Sequence, residues 1–258
     1  MPYVDNQGVR IHYQVEGLGP PLVLQHGSTA SIQAWYQNGF VEPLQQHYQL
    51  ILVDARGHGN SAKPHDAASY ALPLRVSDVV AVLDDLGIQK AHYWGYSMGG
   101  WIGFGMAKHA AERVQALILG GAHCYADSMD AFQGVDRADP EACLAALERF
   151  VGLRASPEIR AQLLWDEPQA LVAAMHDRDS LEDVIPTMTM PCFLYVGEDD
   201  QRFRQVEACF KQMPTATFVS LPGLNHSQAN MRSDLILPHI LTFLEDVGKT
   251  LGPIIPGN

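Results

Sequence analysis

The sequence predicts an α/β protein: a mostly parallel central sheet with helices on both faces and an inserted helical cap. Three observations predict it. Short, almost wholly apolar runs bounded by turn residues recur along the chain, helical patterns alternate with them, and the alternation stops over about 125–188. Strands covered on both faces of a parallel sheet read as continuous apolar runs, and strand–helix alternation places helices on both faces of such a sheet.

Val9, Ile11, Tyr13 and Val15 alternate after the turn Asp5-Asn6-Gln7-Gly8, which predicts an edge hairpin. Apolar runs follow at 22–25, 50–53, 91–94, 114–119, 192–196 and 217–221, each too short for a helix. Val76, Val79, Val80, Leu83 and Leu86 keep a helical period that stops at Gly87, and a last helix is expected around Leu237, Ile240, Leu241 and Leu244. Over 125–188, Pro140, Pro157, Pro168 and Pro186 punctuate short helical segments without a strand-like run. The expected division is a core of 1–124 and 189–251, a helical cap of 125–188, and a loose tail of 252–258.

With 47% hydrophobic and 18% charged residues, the 258-residue chain can bury a large core. Acidic residues outnumber basic ones 29 to 17, and no run of Lys and Arg could track a phosphate backbone, so nucleic acid is not an expected partner. The first 17 residues carry no basic stretch followed by an apolar one, and nowhere do about 18 apolar residues follow one another. A cytoplasmic protein without a membrane partner is expected, and oligomeric state is left open. Cys124, Cys143, Cys192 and Cys209 lack metal-type spacing and read as buried free thiols. No metal or organic cofactor is expected.

Gly95-Tyr96-Ser97-Met98-Gly99 matches the G-x-S-x-G nucleophile elbow. The apolar run before it and the small-residue helix after it, Gly99-Gly100-Trp101-Ile102-Gly103, supply the strand–turn–helix setting that the motif needs. Such a turn forces the serine into a strained backbone and tolerates only Gly-sized flanks. It also sets Ser97 at a helix N-terminus, where free N–H groups favour negative charge. His26-Gly27-Ser28-Thr29 follows the run 22–25, where a loop near the nucleophile can offer a backbone N–H to a substrate oxygen; Ser28 is the candidate donor and Met98 the second. His26 itself reads as structural, and so does the glycine-rich loop from Asp54 to Ser61.

Gly197-Glu198-Asp199-Asp200 ends the run 192–196, so a carboxylate there lies at the same sheet edge as Ser97. Asp200 is the preferred acid, with Asp199 and Glu198 as alternatives. One strand later, Pro222-Gly223-Leu224-Asn225-His226 ends in the candidate base, His226. Trp35, Tyr96, His123 and Tyr125 adjoin sheet-edge positions and are candidate pocket residues; Trp165 and Met175 of the cap could face the pocket too.

Together the elbow Gly-Tyr-Ser-Met-Gly-Gly, the His26-Gly27 loop, the Asp54–Ser61 loop, Gly197-x-x-Asp200 and Gly223-x-x-His226 resemble the α/β-hydrolase superfamily over about 9–247, in its esterase, lactonase and C–C hydrolase branches. The resemblance implies the α/β-hydrolase fold and a Ser-Asp-His order of catalytic groups. It implies a serine esterase acting on a small-molecule carboxylic ester of short to medium acyl chain through an acyl-enzyme. Lactone or C–C bond hydrolysis and a slow-turnover small-molecule receptor are the alternatives. Relatives that open epoxides or remove halides place a carboxylate at the elbow, where this chain has Ser97. C–C hydrolases tend to carry Asn before the nucleophile and Trp after the histidine, where this chain has Tyr96 and Ser227. With no evident cationic cluster to receive a dicarboxylate, neutral esters are the expected substrates.

Overall fold

In a computed structural model that describes residues 2–151 and 157–251, the apolar runs become strands of one eight-stranded sheet. They are β1 (Tyr3–Asn6), β2 (Val9–Glu16), β3 (Pro21–Gln25), β4 (Gln49–Val53), β5 (Ala91–Tyr96), β6 (Val114–Gly120), β7 (Cys192–Gly197) and β8 (Ala216–Leu221). Their order across the sheet is β1-β2-β4-β3-β5-β6-β7-β8. The β1–β2 hairpin is antiparallel and joins β4 antiparallel; every pairing from β4 through β8 is parallel. The chain winds outward from β3 to β4, then crosses back to place β5 on the other side of β3. That reversal leaves a crevice beyond the carboxyl ends of β3 and β5, the preferred ligand position of open α/β sheets.

Ten helices are described: α1 (Gln33–Gln37), α2 (Val41–Leu44), α3 (Leu72–Asp85), α4 (Met98–His109), α5 (Pro140–Val151), α6 (Pro157–Trp165), α7 (Pro168–Ala174), α8 (Phe203–Phe210), α9 (His226–Met231) and α10 (Ser233–Leu251). Alternate strand residues point to opposite faces. Val23, Ile51, Tyr93 and Leu117 pack with α3, α4 and α8 on one face, while Leu22, Leu24, Trp94 and Phe193 pack with α1, α2 and α10 on the other. Two-sided burial holds for β3 through β7 and not for β8, which pairs only with β7, leaves Thr217 exposed and half-buries Phe218 and Val219. An edge strand has no neighbour to cover its second side.

Between β6 and β7 the described residues form α5 to α7 and short single turns around their own apolar cluster, which includes Phe132, Cys143, Leu147, Leu163 and Leu171. Met175 belongs to that cluster, and Trp165 is 66% exposed. One isolated bridge closes the base of this insertion: Asp127 and Arg178 exchange both backbone hydrogen bonds, at 3.1 and 2.9 Å. All four cysteines are free and buried. No described helix is long and apolar enough to cross a membrane. The tail 252–258 lies outside the described residues.

Two buried histidines make stability depend on pH. Burial lowers His92, on β5, to about 4, and it lowers His58 to about 3. Between the ordinary histidine value of about 6.5 and these values the unfolded chain binds protons that the folded one refuses, so stability is full above about 6.5 and falls as pH falls. Urea unfolding at pH 7.5, 6 and 5 is expected to show a midpoint that drops at each step. A midpoint constant from 7.5 to 5 would contradict neutral burial of these rings.

Candidate active site

Ser97 sits between β5 and α4 with φ 53° and ψ −108°, a backbone that side-chain-bearing residues rarely adopt. Its N–H donates to the Gly120 carbonyl at 2.7 Å and its own carbonyl accepts from Trp101 N–H at 2.9 Å, so neighbouring elements hold the strain in place. The elbow has no room for a side chain at Gly99, where a Cβ would stand 2.1 Å from the Gln25 carbonyl oxygen. This close approach brings the start of α4 against the end of β3. Ser28 lines the same cavity as Ser97, and Met98 opens α4 with an N–H that has no intrahelical acceptor. Among the described residues neither the Ser28 nor the Met98 N–H is hydrogen-bonded.

His226 is the first residue of α9, fixed by a capping box in which Asn225 and Gln228 satisfy one another's backbone N–H groups. Its Nδ1 lies 2.5 Å from Asp200 Oδ2. The other carboxylate oxygen, Oδ1, accepts from Arg202 N–H at 2.9 Å. Burial opposes the charge on Asp200, but the His226 bond and charge and the Arg202 backbone and side chain outweigh it and hold the carboxyl below its ordinary value. Asp200 is buried whereas Glu198 and Asp199 are exposed, and Glu198 accepts from the Ser220 hydroxyl at 2.8 Å instead. Of the three carboxylates in this loop, Asp200 is the one that meets His226.

Tyr96, buried beside Ser97, donates its hydroxyl to the His226 carbonyl at 2.5 Å and packs ring to ring with it at 5.2 Å. Gly121, at φ +56°, leaves space for the imidazole; a Cβ there would lie 2.9 Å from His226 Cε1. Ser97 and His226 line one cavity of about 270 Å³, with Phe150 of α5 and the exposed Met231 on its walls. Among the described residues the Ser97 hydroxyl makes no hydrogen bond to His226, as is common before substrate draws such groups together. Two roomier hollows, of about 690 Å³ in the insertion and about 420 Å³ between α10 and the β7–β8 edge, contain neither residue.

The supporting loops form a buried network. Asp54 accepts from the Ile32 and Asn60 N–H groups and pairs with His12 Nδ1 at 2.7 Å. His26 Nε2 accepts from Ala55 N–H at 3.1 Å while Nδ1 donates to the Gly27 carbonyl at 2.7 Å, which requires a neutral ring; burial lowers its pKa in agreement. The Asp54 and His26 side chains thus brace these loops from behind without lining the cavity themselves. No group of three or more His, Cys, Asp or Glu side chains among the described residues is placed to hold a metal ion.

The alpha/beta hydrolase fold family matches residues 20–144, a span containing the strained serine. The enol-lactonase of Burkholderia xenovorans LB400 superposes with a TM-score of 0.80 at 22% identity, covering 95% of this chain and 100% of that one. The chain belongs to the α/β-hydrolase superfamily. Among its relatives in sequence, a protein designated carbamate hydrolase RutD in Azorhizobium caulinodans is 30% identical over 177 residues, 67% of this chain and 60% of that protein. The pimeloyl-[acyl-carrier protein] methyl ester esterase of Vibrio vulnificus is 28% identical over 212 residues, 74% and 80% respectively. The chain spans 60%, 37% and 41% of the first three curated relatives that it matches.

Within this α/β-hydrolase fold the expected pocket residues separate. Tyr96 lines the Ser97 cavity; Trp35 does not, because its ring is buried edge-on against Phe40 and Trp94 in the core under β3 and β5. His123 and Tyr125 line a separate small hollow that shares Arg202 with the Ser97 cavity. Phe150, Met231 and Arg202 went unforeseen, since none belongs to a motif, and so did the bracing role of Tyr96, whose position in the elbow motif specifies no residue type.

Proposed function

We propose that the protein is a serine hydrolase that cleaves carboxylic esters of short to medium acyl chain through Ser97, His226 and Asp200. The observation that carries this is His226, hydrogen-bonded to the buried Asp200, lining one cavity with a serine held at a strained elbow. Ser97 Oγ attacks the ester carbonyl as His226 Nε2 takes its proton, while Asp200 keeps the proton on Nδ1 and stabilises the imidazolium. The Ser28 and Met98 N–H groups receive the oxyanion, helped by the positive end of α4. His226 then protonates the leaving alcohol, and water, activated by the same histidine, frees the acid. Every step uses groups of this chain.

A cavity of about 270 Å³ lies just below the usual range of about 300–1,000 Å³ for ligand pockets, which supports short to medium acyl groups. We read 125–188 as a cap on the grounds that Phe150 of α5 forms part of the cavity wall. Initial rates on p-nitrophenyl acetate, butyrate, octanoate and palmitate, beside a phenyl-substituted ring-cleavage dienoate, test the substrate class. Highest kcat/KM is expected at butyrate or octanoate. A maximum on the dienoate would replace ester with C–C bond hydrolysis, and a maximum at palmitate would point to a lipase.

A further inference from the structure

Beside the Ser97 cavity the fold gathers cations that are far apart in sequence. Arg178, at the base of the insertion, and Arg202, after β7, line a narrow hollow together with Trp101, His123 and Asp127. Arg202 pairs with Asp127 at 3.3 Å. The Arg178 guanidinium lies over the Trp101 ring at 4.8 Å and makes no hydrogen bond among the described residues, although it is half-buried and carries five N–H donors. Two guanidinium groups therefore lie near one carboxylate, which is paired with Arg202. Among the described residues Trp101 Nε1 and His123 Nδ1 are buried without a partner, on side chains only 5% and 8% exposed. A third arginine, Arg75, is buried behind them; its guanidinium bonds the Tyr70 and Ala174 carbonyls and Met98 Sδ, with no ion pair among the described residues.

Partly buried cations and orphaned N–H donors are costly to maintain unless an anion uses them. Burial, opposed by Asp127 and reinforced by Arg202, lowers Arg178 to about 10, which leaves it cationic at neutral pH. The hollow measures only about 10 Å³, and Arg202 lines both it and the Ser97 cavity, so the two adjoin. Gly121, whose Cβ position lies 2.9 Å from the His226 ring, lines the hollow too, which places it within a few ångströms of the reacting groups.

We infer that this cluster is an anion subsite, in which Arg178 and Arg202 hold a carboxylate at the far end of the substrate's acyl chain. The substrate class is then the half-ester of a dicarboxylic acid, or a lactone bearing a carboxylate. This rests on the ester hydrolase reading above and revises the expectation of neutral esters. A planar guanidinium meets a carboxylate through two parallel N–H···O bonds, and two such groups in a half-buried site discriminate strongly against an uncharged chain end. The overall charge of −12 does not prevent this, because the local cations line the hollow itself.

The test compares monoethyl adipate with ethyl hexanoate by pH-stat, and measures adipate binding by calorimetry without any turnover. The wild type is expected to favour the half-ester at least tenfold in kcat/KM, about 1.4 kcal/mol, and to bind adipate. In Arg178→Gln and in Arg202→Gln, which keeps the backbone N–H to Asp200, that ratio is expected to fall towards one. Adipate binding should weaken at least tenfold in Arg178→Gln, and Arg178→Lys should keep part of both. Melting temperature guards against a merely structural role: losing an unpaired cation should leave Arg178→Gln as stable as the wild type or more so. Equal hydrolysis of both esters without adipate binding would overturn the subsite and leave the ester reading standing. Adipate binding that depends on Arg178, without hydrolysis of either ester, would keep the subsite and overturn the ester reading. A half-ester preference unchanged in Arg178→Gln would overturn the subsite.

Discussion

Asp200→Asn is expected to lower kcat about 10⁴-fold while Asp199→Asn, one residue away, changes it less than threefold. The two side chains differ in what they touch. Asp200 is buried, with Oδ2 at 2.5 Å from His226 Nδ1 and Oδ1 fixed by the Arg202 N–H, whereas Asp199 is exposed. An asparagine at 200 can present an N–H₂ to the ring and favour the tautomer whose Nε2 carries the proton, which removes the base that Ser97 needs. It also leaves the imidazolium of the transition state without its counter-charge. Steady-state rates on one ester, with circular dichroism showing both variants folded, check this; similar small losses in both would remove Asp200 from the proposed triad.

The second large effect is on stability. Arg56 grips Asp78 with two bonds of 2.6 Å, from Nε and Nη2, and both side chains are almost wholly buried. Its other bonds reach the Ser69 and Leu74 carbonyls, and Asn6 Nδ2 supports Asp78 Oδ1 at 2.7 Å. Burial pushes Asp78 upward in pKa and Arg56 pulls it back, so losing the arginine leaves a carboxylate with little reason to stay charged. Arg56→Leu is expected to cost about 3–5 kcal/mol, because removing one partner strands the other in a poorly solvated site. The double variant Arg56→Leu/Asp78→Leu should recover much of that loss. Urea denaturation measures both, and a cost below about 1 kcal/mol for the single variant would show that water reaches Asp78.

The parallel strands were legible in the sequence because two-sided burial leaves them apolar along their whole length, and the helices between them because their apolar faces repeat. Only β8 departs, since an edge strand looks the same as an inner one until its place in the sheet is known. Ser97, Asp200 and His226 could be placed together at one sheet edge because each follows a strand, β5, β7 or β8, of the same parallel sheet. Trp35 was misplaced because an aromatic residue after β3 fits a pocket wall as well as a core, and only the rings of Phe40 and Trp94 decide between them. Arg75, Arg178 and Arg202 were invisible as a group: each is a lone arginine in its own segment, and the fold alone assembles them.

Labelling by a fluorophosphonate, read by intact mass and peptide mapping, tests the central claim most directly. A serine at a strained elbow with a histidine base in the same cavity should form one adduct per chain, carried by the peptide containing Ser97, and Ser97→Ala should give none while melting at a temperature close to that of the wild type. An adduct on another residue, or equal labelling of Ser97→Ala, would contradict the assignment of Ser97 as the nucleophile.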